Sequence, residues 1–215
     1  MDFGKAFTFA FEDPDWLKKV FINALIGLIP FVGQIYVMGW GLEVARRVAT
    51  GSTELLPDVD FGAYLGQGFK AIVVSLVWTA PIWLVSIVFA AIAALTSNAD
   101  PDVAEAVAMI GGICVGLVSL VFGIALGIML PAALTRTVVF GSIKAGLAFG
   151  AVGKLVAAAP VAYLLTLVGN FAAGLAASII GGLACGIGVF FTMTLYQAVM
   201  GHFYGQAYVA ASARA

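Results

Sequence analysis

The chain is a series of long apolar runs separated by short polar breaks. The first run covers residues 17–48 and is interrupted by Pro30 and Gly33. The later runs cover residues 69–96, 103–130, 156–180 and 183–208. Gly181-Gly182, between the last two, predicts a tight turn of antiparallel helices. Since about 20 apolar residues cross a bilayer as a helix, the pattern predicts an all-α fold, a polytopic helical membrane bundle with about six apolar segments.

The first run has two interpretations: one long kinked helix, or an N-terminal helical hairpin with arms at residues 17–29 and 33–48. Asp13-Pro14-Asp15 ahead of it is typical of a helix start, with an acidic N-cap followed by proline at the first helical position. We favour the hairpin because it places the basic residues at both ends of the run on one side of the membrane. Each arm is short for a full span, so a re-entrant hairpin is an alternative to two full spans.

The charges orient the predicted bundle. Lysine and arginine collect in the loops and ends that the hairpin places on one side: Lys18, Lys19, Arg46, Arg47, Lys70, Arg136, Lys144, Lys154 and Arg214. The break at residues 97–102 carries Asp100 and Asp102 and no basic residue. Because basic loops stay in the cytoplasm, we expect both termini to be cytoplasmic.

Composition restricts the class of protein further. Of the 215 residues, 63% are hydrophobic and 10% are charged, and the mean hydropathy is +1.11. Soluble globular domains average about 45–50% apolar and about 25% charged residues, so a water-soluble protein is excluded. The few basic residues offer no nucleic-acid interface. We expect a single transmembrane helical domain at residues 17–215 after an arm at residues 1–16.

The arm at residues 1–16 is aromatic. Its phenylalanines recur at the four-residue spacing of one helix face. An aromatic, weakly charged segment beside basic residues favours the lipid headgroup boundary. We therefore predict an interfacial anchor formed by Phe3, Phe7, Phe11, Trp16, Lys18 and Lys19. An arm that docks a partner, or one that folds back into a cavity of the protein, is the alternative.

Small residues recur at helical spacing in two of the apolar runs. The first stripe consists of Gly112, Gly116, Ser119, Gly123 and Gly127, and the second of Gly174, Ser178 and Gly182. Such stripes let helix backbones approach closely in lipid, where dispersion contacts drive association. We predict that both are helix-packing faces, either between helices of one chain or between subunits.

Polar side chains within the apolar runs are the candidates for function, because each is costly in hydrocarbon. They are Asn23, Gln34, Glu43, Asn170 and Gln197. Glu43 precedes Arg46 and Arg47 by three and four positions, which predicts a local ion pair near the cytoplasmic interface. The uncharged members are expected to hydrogen-bond between helices or to line a small polar cavity.

His202 is the only histidine. Because Gly201 leaves room beside the ring, axial ligation of a haem or chlorin is one interpretation, and a capping or interhelical hydrogen bond is the other. One histidine forms neither a zinc site nor a catalytic triad. The chain also lacks nucleotide-binding, nucleophile-elbow and metalloprotease motifs. We expect no catalytic residue, no metal site and no cofactor beyond that single candidate.

Both ends of the chain resemble a known family. The N-terminal blocks are FTFAFEDPDWLKK at residues 7–19 and LIPFVGQ at residues 28–34. The C-terminal blocks are CGIG at residues 185–188 and GHFYGQAY at residues 201–208. They are similar to a domain-of-unknown-function family of uncharacterised prokaryotic membrane proteins. The resemblance implies a polytopic protein of the prokaryotic cytoplasmic (inner) membrane and carries over no activity.

These observations favour a non-catalytic membrane protein that acts as an accessory or scaffold subunit. Its expected partners are membrane lipids and either copies of itself or other membrane subunits. The alternative is a transporter or channel for a small or lipid-like solute. That alternative depends on broken helices at Pro30–Gly33 and near Pro81, and on a sparse internal repeat that aligns residues 33–44 with residues 188–199.

Overall fold

The computed structural model describes residues 1–54, 56–96, 101–183 and 187–214. Every regular element in these ranges is helical, which confirms the all-α class. The elements are α1 (Phe3–Thr8), a 3₁₀ helix (Phe9–Glu12), α2 (Trp16–Gly27), α3 (Val32–Ala49), α4 (Phe61–Thr96), α5 (Pro101–Val139), α6 (Ile143–Gly146), α7 (Phe149–Ala158), α8 (Pro160–Leu183) and α9 (Ile187–Ser212). Asp100, at the predicted acidic break, and Cys185 lie outside the described residues.

Three helices in the described part of the chain are long and apolar enough to cross a membrane. They are α4, α5 and α8, whose mean hydropathies are 2.3, 2.7 and 1.8 over 18 residues. The predicted count of about six apolar segments is not confirmed. α2 has 12 residues, about 18 Å of helix against a hydrocarbon core of about 30 Å. α3 carries one glutamate and two arginines, and α9 carries a histidine and two glutamines, which lower their hydropathy.

α2 and α3 form the N-terminal hairpin, so the single kinked helix is excluded. The chain reverses after Gly27 through Phe31, whose φ of 60° and ψ of −58° are rare for an L residue. Gln34 Nε2 donates a hydrogen bond of 2.9 Å to Gly27 O across the reversal. Further along, Tyr36 OH donates one of 2.6 Å to Asn23 Oδ1. These contacts make the two arms antiparallel.

The chain divides into two compact units, the first formed by Met1–Ser75 with Ile128–Ala215 and the second by Leu76–Gly127. The first unit is built around α9, which packs against α8, α3, α2, α7 and the arm. Its largest fully buried side chains include Trp40, Tyr36 and Tyr163.

α8 and α9 are antiparallel. Gly169 of α8 packs on the ring of Phe203 of α9. Gly181, near the C-terminal end of α8, packs on Thr192 of α9. The Thr192 hydroxyl donates a hydrogen bond of 2.9 Å to Ala177 O, which ties the two helices together there. The predicted turn at Gly181 and the following glycine is wrong, because α8 continues through both and ends one residue later.

α3 and α9 are parallel and their backbones touch. Gly41 lies against the backbone of Gln197 and against Gly201, and Gly205, one turn further, lies against Ala45. A side chain at any of these glycines would overlap the opposing helix. Small residues therefore permit this close crossing of α3 and α9.

The second unit consists of the C-terminal part of α4 and the N-terminal part of α5. Within it, Gly111 of α5 packs on the ring of Phe89 of α4. Pro81 lies inside α4 without ending it, so the helix break expected near it is wrong. In the most apolar 18 residues, only 6% of α4 and none of α5 is buried. The described residues of this unit leave these helix surfaces exposed.

Candidate functional site

The polar residues of the first unit form three groups along α3 and α9. The first group surrounds Glu43, whose side chain is 5% exposed. Arg46 contacts both carboxylate oxygens, with Nε at 2.8 Å and Nη2 at 2.5 Å, and Arg47 Nε lies at 3.4 Å. The predicted local ion pair is confirmed. Gln67 Nε2 of α4 donates a further hydrogen bond of 2.9 Å to the same carboxylate. The group therefore joins α3 to α4.

The loop between α3 and α4 is tied to the base of the hairpin. Arg47 Nη1 donates a hydrogen bond of 3.0 Å to Glu54 O, and Trp40 Nε1 donates one of 3.1 Å to Pro57 O. From the other arm, Lys19 Nζ donates one of 3.1 Å to Leu56 O. Both arms of the hairpin thus hold the same loop.

Lys19 also pairs with two carboxylates, Asp13 at 2.8 Å and Asp58 at 3.1 Å. Partial burial alone would raise the pKa of Asp13, but hydrogen bonds from Lys19 and from the backbone N–H of Asp15 outweigh it. The pKa of Asp13 therefore lies below its ordinary value. Burial alone would lower the pKa of Lys19, yet the two carboxylates raise it above its ordinary value. Both groups are charged at neutral pH.

The second group lies between α2, α3 and α9. Asn23 is fully buried, accepts from Tyr36 and donates a hydrogen bond of 2.7 Å to Lys19 O. Gln34 and Gln197 line one cavity of about 90 Å³, whose other lining residues are Gly27, Val37, Phe190, Met193, Thr194 and Tyr196. Gln197 Oε1 is buried and has no hydrogen-bond partner in the described part of the chain. The structure therefore brings together two of the predicted polar residues.

Asn170 lies apart from that cavity. It is on α8 near Tyr204 of α9, and its buried Oδ1 has no hydrogen-bond partner among the described residues. It is not among the residues that line the cavity of Gln34 and Gln197. Apart from Gln34 and Gln197, the predicted polar residues therefore make separate local contacts.

The third group surrounds His202, which is 3% exposed. Its ring stacks on Phe9 with centroids 4.4 Å apart, and its Nδ1 lies 2.9 Å from Gln206 Nε2 on the same helix. The room expected beside Gly201 is filled by the backbone of α3 at Gly41. The hydrogen bond of His202 therefore lies within α9, whereas the expected one was a cap or joined two helices. Within the described ranges no three His, Cys, Asp or Glu side chains group as metal ligands.

The aromatic arm folds back onto α9. Asp2 N donates a hydrogen bond of 2.6 Å to Gln206 Oε1, and Gln206 Nε2 returns one of 2.9 Å to Asp2 O. Phe3 and Phe7 then contact the edge of the Phe203 ring at centroid distances of 5.0 and 5.7 Å. The fold-back of the arm corresponds to the predicted alternative, whereas its partner on α9, 204 positions away, was not predicted.

The last residues of the predicted anchor lie at the start of the hairpin. Phe11 packs edge-on against Trp16 at 4.8 Å, and Trp16 against Phe191 of α9 at 6.4 Å. Phe11 and Lys18 are exposed. Contact with lipid headgroups stays a prediction for this anchor.

The predicted glycine stripes lie in open surroundings. A Cβ at Gly112, Gly116, Gly123 or Gly182 would meet nothing within 4 Å, and one at Gly174 would make ordinary contact with Tyr196. Ser119 is half-buried, Ser178 is exposed and Gly127 is half-buried. Contacts with the described residues therefore do not account for Gly112, Gly116 and Gly123 of the α5 stripe.

The closest helix approach outside α9 was missed. Gly39 of α3 lies against the backbone of Tyr64 and Gly68 of α4, and Gly68 lies against Ile35. Neither glycine has another glycine three or four positions away, so the sequence contains no regular stripe that could have identified the crossing.

The architecture is an all-helical fold with an N-terminal hairpin and, in the described ranges, three helices that are long and apolar enough to cross a membrane. The chain belongs to the family described as Protein of unknown function (DUF4013), which matches residues 22–202. The predicted family resemblance is thereby confirmed. The N-terminal block at residues 7–19 lies outside the matched range. Comparisons with curated proteins and with solved structures give no significant match.

Proposed function

We propose that this protein is a non-catalytic scaffold subunit of the cytoplasmic membrane, with both termini on the cytoplasmic side. It assembles with a second copy of itself or with other membrane subunits. The observation that carries the proposal is the uncovered surface of α5, where none of the most apolar 18 residues is buried. Gly112, Gly116 and Gly123 lie on that surface with open space beside them.

Glycines on a lipid-facing helix surface need a reason. Each glycine costs about 1 kcal/mol against alanine in a soluble helix, and contact with lipid chains does not offset this cost. Contact with a second helix does offset it, because the second helix can approach the backbone closely where the side chain is missing. Gly111, one position before Gly112, already faces α4. Since successive helical residues point about 100° apart, the stripe is directed away from the main line of that contact.

Cross-linking in the membrane tests this surface. In a chain with Cys114→Ala and Cys185→Ala, a Gly116→Cys variant is oxidised in native membranes without extraction. We expect a disulfide-linked dimer or a covalent adduct with another subunit. Gly66→Cys is the matched control, because Gly66 also has open space but lies on α4 outside the stripe. Equal cross-linking at both positions, or none at Gly116, would contradict the proposal.

A second candidate function is passage of a small solute. The cavity between α2, α3 and α9 favours it, because Gln34 and Gln197 meet there and one buried amide oxygen has no partner. Osmotic shrinkage of proteoliposomes in glycerol provides the test. Faster glycerol entry than in empty vesicles, abolished by Gln197→Leu, would support a channel. Equal entry with and without the protein would leave the scaffold function.

A further inference from the structure

α2 is apolar on its outer face as well as on its inner face, unlike a surface helix of a soluble protein. Its inner face, in contact with α3 and α9, carries the buried Asn23. Its outer face carries an exposed apolar stripe at helical spacing: Leu17, Phe21, Leu25 and Leu28. The hairpin continues this surface into its reversal, where Ile29 and Phe31 are exposed, Phe31 by 85%. A surface of this kind needs an apolar solvent.

Both arms are apolar between the charged base and the reversal. On α2, eight positions separate Lys19 from Gly27, about 12 Å. On α3 the first charged residue is Glu43, 11 positions after Val32, or about 17 Å. The apolar part therefore reaches about 40% to just over half of the way through a hydrocarbon core of about 30 Å.

The charges lie only at the base. Lys19 there is paired with Asp13 and Asp58, and Arg46 with Glu43. Lys18, on the exposed side of α2 beside Leu17, is the cation positioned to reach outward from the apolar stripe. A lysine at the edge of an apolar face places its ammonium among lipid phosphates while its methylenes stay in the acyl region.

We propose that the α2–α3 hairpin is a re-entrant membrane element. It enters from the side that carries Lys18, its stripe and tip contact the acyl chains of that leaflet, and it returns to the same side. The occupant of the apolar face is lipid hydrocarbon. Backbone at the tip is protected because Gln34 donates to Gly27 O and the N–H groups of Val32 and Gly33 bond within the turn.

Spin-label depth measurements test the proposal. In full-length protein with Cys114→Ala and Cys185→Ala, single cysteines replace Leu17, Phe21, Leu25, Leu28 and Phe31 in turn. All five side chains are exposed, so labels fit without entering the core. In phosphatidylglycerol-containing vesicles, collisions with oxygen should rise and collisions with a water-soluble nickel chelate should fall from position 17 to position 31. Asp15→Cys, exposed at the base, is the water-accessible control.

A membrane-impermeant maleimide separates the other topologies. We expect Phe31→Cys to stay unlabelled from both sides of sealed vesicles, and Asp15→Cys to react from one side. Labelling of Phe31→Cys from the opposite side would mean a fully spanning hairpin, and labelling from the same side would mean one outside the bilayer. Either result overturns the proposal. Neither bears on subunit assembly, which the α5 cross-links test separately.

Discussion

The carbonyl oxygen of Gly41 in α3 occupies the space that a Cβ on Gly201 in α9 would fill. Neither backbone can retreat freely, because α9 is held on its other side by α8 and α3 is held by α4 at Gly39. The crossing therefore requires glycine at both positions, and the parallel arrangement of the two helices depends on it.

Gly201→Ala should destabilise the first unit. The added methyl group overlaps a backbone oxygen, and overpacking of this kind costs about 1–3 kcal/mol. Thermal unfolding in detergent, followed by circular dichroism, measures the change. Gly66→Ala is the control, since its Cβ meets nothing within 4 Å and alanine favours the helix. If the two variants unfold at the same temperature, the close crossing does not exist.

Glu43→Gln should also destabilise the protein. The amide keeps the shape of the side chain but removes the charge that Arg46 and Arg47 share. Charge-assisted hydrogen bonds are worth about 1.5–3 kcal/mol, and the partial exposure of Arg46 places the loss at the lower end. Chemical unfolding in mild detergent gives the free energy. Glu105→Gln, at an exposed acid on α5, should leave it unchanged, and a loss as large there would refute the assignment.

The Asp13–Lys19 pair predicts a sign for the pH dependence. The folded-state pKa of Asp13 is below 3.8, so its charge contributes fully to the free energy of unfolding at neutral pH. This contribution is lost as the pH falls below 3.8 and through the folded-state pKa. The pKa of Lys19 is above 10.5, so its contribution disappears as the pH rises beyond that value. Asp13→Asn should lower stability at pH 7 and flatten the acid limb of the stability curve. An unchanged acid limb would exclude the pair as its source.

Gln206→Ala should release the arm from α9. The variant removes both hydrogen bonds to Asp2 and the contact with His202. Hydrogen exchange followed by mass spectrometry should then show faster exchange in Phe3–Thr8 with little change in α8. Gln67→Ala is the comparison, because its amide contacts Glu43 and not the arm. Unaltered exchange in the arm would mean that the phenylalanine contacts alone hold it.

Lys18→Glu should lower the thermal stability of the protein more in anionic bilayers than in neutral ones. A basic residue near an anionic surface contributes about 1 kcal/mol, and the reversed charge is repelled. The midpoint of thermal unfolding in phosphatidylglycerol vesicles, compared with phosphatidylcholine vesicles, measures the difference. Lys144→Glu, at a residue of α6, provides a comparison for the total charge. A shift of equal size in both lipids would show that Lys18 does not meet headgroups.

The local features of this fold were predictable and the distant ones were not. The hairpin follows from Pro30 and Gly33 in an apolar run, and the Glu43 ion pair follows from helical spacing. The arm contact joins Asp2 to Gln206 across 204 positions, for which no local pattern exists.

Glycine spacing was an incomplete guide to packing. The regular stripe from Gly112 to Gly123 faces open space, whereas the tight crossing of α3 and α4 uses Gly39 and Gly68, one glycine on each helix. A stripe shows where a helix permits close approach. Only the tertiary arrangement shows whether a helix of the same chain uses it.

Native mass spectrometry after mild extraction tests the scaffold function most directly. If the protein is a scaffold subunit, we expect a complex whose mass exceeds that of one 22.2 kDa chain. The mass is then either an integer multiple of the chain mass or the mass of the chain together with other subunits. Gly116→Leu should reduce that complex, and Gly66→Leu should preserve it. A single chain in the wild-type protein, or an assembly that Gly116→Leu leaves intact, would contradict the central claim.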